Sequence, residues 1–174
     1  GDTRLSARLR WLLDDPDATV RAAAFDALAE LGAPEGALAE LDLGAQALRS
    51  SRQDIRLRAL PILVEFGGRG RYARHPASAS TAGELLGRAL DDEHSKVRVE
   101  AFSTLWAWYS DDPRTPLTLA AACRHADVRK RAIDELTRLK ERAPGHWSDD
   151  LLFTLIDDGV AEVGVAAYEV LSGK

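Results

Sequence analysis

The feature that most constrains this chain is a twelve-residue pattern that occurs five times. It reads VRAAAFDALAEL from Val20, and equivalent segments begin at Ile55, Val97, Val128 and Val163, at intervals of 35, 42, 31 and 35 residues. We call these segments copies 1 to 5 and count positions from the first residue of each, which is position 0. A chain that repeats in this way builds its fold from similar units, each packed mainly on its neighbours.

The apolar residues of the pattern lie on one face of an α-helix. Positions 0, +4, +5, +8 and +11 hold 24 apolar residues in 25 places, against about 11 expected from the 45% hydrophobic content. Position +4 is alanine in every copy, which predicts a close helix–helix approach there. A second apolar stretch upstream, such as Leu9 and Leu13, predicts a preceding helix, and no segment alternates with the period of a strand. The sequence therefore predicts an all-α chain of about five helix–turn–helix repeats, at approximately 3–32, 35–67, 80–110, 115–142 and 147–174.

The cores LDDPDATVRAAAFDAL and LDDEHSKVRVEAFSTL share the pattern L-x-D-x-x-x-x-V-R-x-x-A-x-x-x-L. This pattern resembles HEAT repeats, especially the short bacterial variety that includes the HEAT-like repeats of phycobilisome lyases. The resemblance covers essentially the whole chain and implies one HEAT-repeat domain over residues 1–174. It also implies an α-solenoid with a right-handed superhelix, whose concave side is lined by helix B, the second helix of each repeat. We expect the chain to be part of a longer protein. The fold itself does not define an activity.

The turn before each helix B is rich in aspartate. Three carboxylates crowd the first turn, at Asp14, Asp15 and Asp17. A calcium loop would need alternating oxygen ligands, a glycine and a bidentate glutamate downstream, and this segment has none of these. Aspartate and serine are instead preferred N-cap residues, and they recur at position −5. The sequence therefore predicts N-caps at Asp15, Ser50, Asp92 and Asp158, and no metal site.

Position +1 is arginine in copies 1 to 4 and Gly164 in copy 5. A partly buried arginine with several hydrogen bonds suits an interface between repeats. In HEAT proteins this arginine commonly joins a ladder with turn aspartates of adjacent repeats, and its loss suggests that copy 5 is a terminal or capping unit. The resemblance implies a structural ladder of Arg21, Arg56, Arg98 and Arg129, with Asp17, Asp54 and Asp127 as partners.

Composition and missing motifs narrow the functional classes. The net charge of −5 and pI near 5.4 argue against general nucleic-acid binding, which needs clustered cations. The single cysteine, Cys123, excludes an internal disulfide and fits a reducing, cytoplasmic compartment. No apolar run is long enough to span a membrane. The chain contains no CxxC, HExxH, GxSxG or Walker motif, and its four histidines are interpreted as solvated. We therefore expect no enzyme activity, no cofactor and no metal.

The long interval between copies 2 and 3 contains an insertion, GGRGRYARHPASAS, at residues 67–80. Two interpretations are open: a mobile surface insertion, or a basic recognition loop for an acidic protein or nucleic acid. The basic insertion residues are Arg69, Arg71, Tyr72 and Arg74.

A partner-binding surface is expected on the concave, helix-B side. Trp106 occupies position +9, where an exposed aromatic side chain would be a recognition anchor, whereas Trp108 at +11 is assigned to the core. Positions near +3, +7 and +10 mix both charge signs, which favours a protein partner over a phosphate backbone. The predicted partner-binding residues are Arg58, Ile62, Glu65, Glu100, Thr104, Trp106, Arg131, Glu135 and Arg138.

Two alternatives to a protein-binding scaffold remain. The first is nucleic-acid binding, as in HEAT-like alkylpurine DNA glycosylases, whose basic cleft uses tryptophan, aspartate and arginine. The segment WAWYSDD supplies Trp106, Trp108, Asp111 and Asp112. The second is a HEAT-like lyase or di-iron hydroxylase; the hydroxylases depend on paired His-Glu motifs, and here only the reversed pair Glu93-His94 occurs.

Overall fold

A computed structural model describes residues 3–67, 70–72, 74–142 and 146–173. Over these ranges the chain is all-helical and forms no strand, which confirms the all-α prediction. None of the described helices combines the length and apolar character needed to cross a bilayer. A 3₁₀ turn, Ala33–Glu35, separates the second and third helices. The α-helices are α1 (Thr3–Leu12), α2 (Ala18–Gly32), α3 (Ala37–Ala47), α4 (Gln53–Val64), α5 (Pro76–Ala89), α6 (Ser95–Trp108), α7 (Arg114–Ala121), α8 (Ala126–Arg142), α9 (His146–Ile156) and α10 (Ala161–Ser172).

The helices divide between two compact units, Gly1–Ala89 and Leu90–Lys174. In the first unit α1 pairs with α2 and α3 with α4; in the second, α7 pairs with α8 and α9 with α10. Helices B of successive copies also pack on one another, α2 on α4 in the first unit, and α6 on α8 and α8 on α10 in the second. The division falls between α5 and α6, within the predicted third repeat. The single continuous domain stays a prediction.

The core of each unit is built from the apolar face of the repeated pattern. Position +4 is at most 2% exposed in all five copies, because alanine lets the neighbouring helix approach its backbone closely. In the first unit Phe25 and Leu28 of α2 pack with Ala47 of α3 and with Ile55 and Ala59 of α4. In the second unit the same positions of α6 and α8 are buried: Val97, Ala101, Phe102, Leu105, Val128, Ala132, Ile133 and Leu136.

Position +11 is less uniform than the sequence predicts. Phe66 is fully buried, but Leu31 is exposed and Trp108 is only half-buried. The Trp108 ring stacks on Tyr109, with ring centroids 6.1 Å apart. The assignment of Trp108 to the core is therefore wrong, because α6 ends at this residue and the chain turns away there.

The predicted N-caps are also corrected, because each helix B begins three residues after its predicted cap. The N-cap of α2 is Asp17, whose carboxylate accepts from the Thr19 backbone N–H at 2.7 Å. The −5 side chains instead accept from the backbone N–H of the true N-cap residue, closing a turn of the Asx type. These bonds join Asp15 to Asp17 N at 2.8 Å, Ser50 to Arg52 N at 3.0 Å, Asp92 to His94 N at 2.8 Å, and Asp158 to Val160 N at 2.8 Å.

Candidate functional site: the faces of helices B

The arginine side chains at position +1 form largely buried links between successive copies. Arg21 of α2 donates from Nε to Asp54 Oδ2 of α4 at 2.9 Å, and from Nη1 to the carbonyls of Asp15 and Pro16 at 2.7 and 3.0 Å. Its side chain is 10% exposed. One arginine therefore holds its own turn and the next helix B together. Asp17, a predicted ladder partner, is the N-cap of α2 instead.

The second unit repeats this link. Arg98 of α6 donates from Nε and Nη2 to Asp127 Oδ2 at 3.0 and 2.7 Å. Its Nη1 reaches the carbonyls of Asp92 and Glu93 at 2.7 and 2.9 Å. Arg98, which lies 77 residues after Arg21, thus makes the same three contacts: two with its own turn and one with the next copy. Such a multiply bonded guanidinium is a structural element rather than a free binding group.

Copies 2 and 4 extend the ladder with variations. Arg56 Nη1 donates to the Ser50 carbonyl at 2.7 Å, as the other ladder arginines do to their own turns. Arg129 binds Asp158 through both carboxylate oxygens, at 2.6 and 2.8 Å, and reaches the Cys123 carbonyl at 2.8 Å. The hydrogen bonds of this pair raise the pKa of Arg129 and lower the pKa of Asp158. Asp158, predicted as a cap, is therefore also the ladder partner of Arg129.

A second set of links, which sequence reasoning missed, starts from the aspartate at position −6. Asp14 Oδ1 accepts from Ser50 Oγ at 2.7 Å, from Ser51 N at 3.0 Å and from Ser51 Oγ at 2.9 Å. The hydrogen bond from Ser50 is the main cause of the lowered pKa of Asp14. The carboxylate that follows helix A, the first helix of one repeat, thus anchors the turn of the next copy.

Asp91 makes the equivalent link in the second unit. Its Oδ1 accepts from Cys123 Sγ at 2.9 Å and from Arg124 N at 2.9 Å. Burial acts to raise the pKa of Asp91, but these hydrogen bonds outweigh it, and the pKa lies below its ordinary value. Burial, and then the bond to Asp91, raise the pKa of Cys123 to about 12, so the thiol stays protonated and is no nucleophile. The sequence signal was the pairing of Asp at −6 with Ser or Cys at −5 of the following copy.

A groove lies between α6 and α8 of the second unit, with a volume of about 440 Å³. We call it the α6–α8 groove. Its apolar lining consists of the exposed Val99 and the buried Phe102 and Val128, and the guanidinium of Arg131 lies over the Phe102 ring at 5.1 Å from the ring centroid. Trp106 stacks beside the same ring, with centroids 6.0 Å apart and planes within 15°. The groove therefore offers the exposed Val99 side chain and the Arg131 guanidinium, whereas the Phe102 ring beneath that guanidinium is buried.

The walls of the α6–α8 groove carry both charge signs. Among the predicted partner-binding residues, Arg131, Glu135 and Arg138 line it, and Arg138 donates to Glu135 at 2.5 Å. Asp134 and Lys130 add a further charge of each sign. The remaining predictions on α6 lie outside the lining: Trp106 is half-buried and stacks on Phe102, Glu100 is exposed, and Thr104 is half-buried.

The first unit repeats the arrangement of a cation over an aromatic ring. Arg58 lies over the Phe25 ring at 5.5 Å from the centroid and forms an ion pair with Asp26 at 2.7 Å. Ile62 is partly buried against the core of this unit, so it is a packing residue rather than an exposed anchor. Glu65 accepts from the backbone N–H and Nε of Arg71, both at 3.2 Å.

The basic insertion folds back onto the first unit. Tyr72 donates its hydroxyl to Glu40 of α3 at 3.0 Å, and its ring packs on Phe66 with centroids 5.0 Å apart. Arg71 Nη2 lies 3.3 Å from Glu40, whose side chain is 11% exposed, and also binds Glu65. The charge of Arg71 is therefore balanced by two carboxylates of the same unit. Arg74 is exposed, and Arg69 lies outside the described residues.

The described part of the chain brings together no group of three or more histidine, cysteine, aspartate and glutamate side chains suited to a metal ion. His94 is the N-cap residue of α6, and His125 Nε2 lies 3.3 Å from the Asp91 carbonyl, within the second set of links. No model of a known protein family matches this chain, and no curated protein is significantly similar to it in sequence.

Proposed function

We propose that this chain is a non-enzymatic scaffold that binds a protein partner on the faces of its helices B, principally in the α6–α8 groove. The observation that carries the proposal is the groove itself, where the exposed Val99 lies beside the Arg131 guanidinium and the half-buried Trp106 stands next to the lining. Tryptophan and arginine side chains are among the groups that most often dominate binding energy at protein interfaces.

The mixed charge of the groove walls favours a protein over a nucleic acid. Asp134 and Glu135 stand among Lys130, Arg131 and Arg138. The lining carries four basic side chains and three carboxylates, Arg98 and Asp127 included, so a phosphate backbone would gain little net electrostatic attraction. A polypeptide with side chains of both signs would be complementary to the same walls.

The proposal includes an α-solenoid of HEAT-like repeats as the scaffold. It is supported by the recurrence of one link between successive copies: Arg21 to Asp54, Arg98 to Asp127, and Arg129 to Asp158. The same link is expected between successive repeats when each repeat packs on its neighbour with the same face. The sequence has a single cysteine, Cys123, and no pair for an internal disulfide, which fits a reducing compartment, and we infer a cytoplasmic location.

The test compares three forms of the chain as bait in cells that express it. The groove variant carries Val99→Asp and Arg131→Glu, and the control carries Glu141→Lys, an exposed residue of α8 outside the groove. We expect the wild type and the control to recover the same protein, and the groove variant to recover at least tenfold less of it while remaining folded by circular dichroism. Equal recovery by all three forms, with folding intact, would refute the groove.

A parallel titration with duplex DNA addresses the nucleic-acid alternative. We expect no binding at low ionic strength, because the groove walls carry carboxylates. Affinity that falls steeply with salt would replace the protein-binding proposal by the nucleic-acid one.

A further inference from the structure

Position +5 is covered in copies 1 to 4 and exposed in copy 5. Phe25, Leu60, Phe102 and Ile133 are at most 6% exposed, whereas Tyr168 is 53% exposed. In each compact unit, an arginine of the following copy lies over the aromatic ring at +5: Arg58 over Phe25 in the first unit, and Arg131 over Phe102 in the second. Tyr168 therefore occupies a position that a following helix B covers elsewhere in the chain.

Two further apolar side chains share the exposure of Tyr168. Val165 precedes it by three residues on α10, hence on the same helix face, and is 56% exposed. Phe153 of α9 is 61% exposed and stands at position −10. In copy 1 this position is Arg10, which donates to Gln46 and Asp42 of the following helix A, α3, at 2.5 and 2.6 Å. Phe153 thus occupies a position whose side chain, in copy 1, contacts the following copy.

A carboxylate completes this face. Asp157 stands at position −6, like Asp14 and Asp91, and is exposed. In copies 1 and 3 this aspartate accepts a side-chain hydrogen bond from position −5 and a backbone N–H from position −4 of the following copy. Asp157 is therefore an exposed acceptor, and the equivalent links show the two donors that would fit it: a hydroxyl or thiol at −5 and a backbone N–H at −4.

We propose that the surface formed by Phe153, Asp157, Val165 and Tyr168 binds one further helix pair of the same repeat pattern. We call this surface the α9–α10 face. The chemistry of its occupant follows from the equivalent links: serine, threonine or cysteine at −5, and any residue with a backbone N–H at −4. The face is distinct from the α6–α8 groove, so this inference goes beyond the proposed partner site.

The first helix pair of a second molecule does not have this chemistry. It carries Asp15 at −5, which would place a carboxylate against Asp157, and Pro16 at −4, which has no N–H to donate. Head-to-tail association of identical chains is therefore disfavoured on this face. The Ser50-Ser51 and Cys123-Arg124 pairs of copies 2 and 4 show the donors that fit.

The glycine at +1 of copy 5 does not mark this copy as a cap. A Cβ at Gly164 would lie 2.4 Å from the carbonyl oxygen of Ile156, so a side chain is excluded by the packing of α10 on α9. The sequence-based expectation of a capping unit rested on this missing arginine. The exposed apolar side chains of the α9–α10 face are the opposite of the polar outer face that a cap presents.

The test appends a sixth helix pair to the full chain. Residues 109–142, which contain α7, α8 and their natural connection from α6, are fused after Lys174. A matched control fusion carries Asp and Pro in place of the appended Cys123 and Arg124, reproducing the pair found at Asp15 and Pro16. Hydrogen exchange of the α10 amides is measured in the chain alone and in both fusions.

We expect the first fusion to slow α10 exchange at least tenfold relative to the chain alone, and Tyr168→Lys to abolish that protection. The control fusion should give markedly less protection. Helicity of the appended pair is followed by circular dichroism, because this pair folds against copy 3 in the native chain. An unfolded appended pair, or equal exchange in both fusions, would overturn the proposal.

Sedimentation of the unfused chain tests the other occupant. We expect a monomer across the accessible concentration range. Association that disappears in Tyr168→Lys would assign the α9–α10 face to a second copy and overturn the argument from Asp15 and Pro16.

Discussion

Arg98 and Asp127 are joined by two hydrogen bonds to one carboxylate oxygen, at 3.0 and 2.7 Å, with the arginine side chain only 10% exposed. The same guanidinium holds two carbonyls of its own turn. A single side chain thus fixes both the turn of copy 3 and its contact with copy 4.

Replacing Arg98 by alanine should lower the free energy of unfolding by about 2–3 kcal/mol, because a charged donor is removed from three acceptors. Guanidinium denaturation followed by circular dichroism measures the change. The matched control is Arg88→Ala, whose side chain is 75% exposed and 4.0 Å from Glu84, and which should change stability by less than about 0.5 kcal/mol. Equal stability of Arg98→Ala and wild type would contradict a structural role.

Cys123 should tolerate serine better than alanine. Its thiol donates to Asp91 and lies 3.1 Å from the Leu90 carbonyl, and Ser50 makes the equivalent bonds to Asp14 and Leu13 in copy 1. Cys123→Ser should stay within about 1 kcal/mol of wild type, whereas Cys123→Ala should cost about 1–2 kcal/mol more, since it leaves the Asp91 acceptor without a side-chain donor. Thermal unfolding of both variants decides the order; alanine equal to or better than serine would argue against the link.

Stability should fall in acid partly through Asp14. Because the pKa of Asp14 is lowered in the folded chain, its contribution is complete above the unfolded pKa, near 3.9, and is lost as the pH falls through the folded value. Asp14→Asn should therefore destabilise the chain at pH 7, and the difference from wild type should shrink below about pH 4. Denaturation at a series of pH values measures this. A difference that is independent of pH would show that the carboxylate charge is not involved.

Removing the Tyr72 hydroxyl should destabilise the first unit. This hydroxyl donates to Glu40, a largely buried carboxylate, so Tyr72→Phe leaves one acceptor oxygen less well satisfied and should cost about 1–2 kcal/mol. Tyr168→Phe provides the control, since Tyr168 is 53% exposed, and it should be close to neutral. Denaturation curves that shift equally for both variants would count against anchoring of the insertion.

The sequence leaves two interpretations of the insertion open because the contacts of its side chains cannot be predicted from the local pattern. Its arginines were visible, but their partners lie about thirty residues away: Arg71 meets Glu40, and Tyr72 meets the same carboxylate. Nothing in the local pattern identifies Glu40 as a buried acceptor. Similarly, the repeated pattern predicts that Phe102 is buried, but it does not predict that the cover of its ring includes the guanidinium of Arg131 from α8.

The first residue of each helix B is also not determined by the local sequence. Asp15 and Asp17 are both good N-cap residues, so their identity alone does not choose between them. The backbone reaches an extended conformation at Asp17 and helical geometry after it, and Asp15 then closes the preceding turn. The choice is made by the direction in which the chain must leave helix A to pack helix B beside it.

The sequence by itself determined that this chain is all-α, which faces of helices B are buried, and where alanine allows close approach. These properties follow from the 3.6-residue period, which is local and is written into every copy. Only the tertiary structure decided which carboxylate each arginine meets, that Asp14 and Asp91 link successive copies, and which aromatic side chains stay exposed. Those outcomes depend on side chains some thirty residues apart meeting within hydrogen-bonding distance, and helix packing alone brings them together.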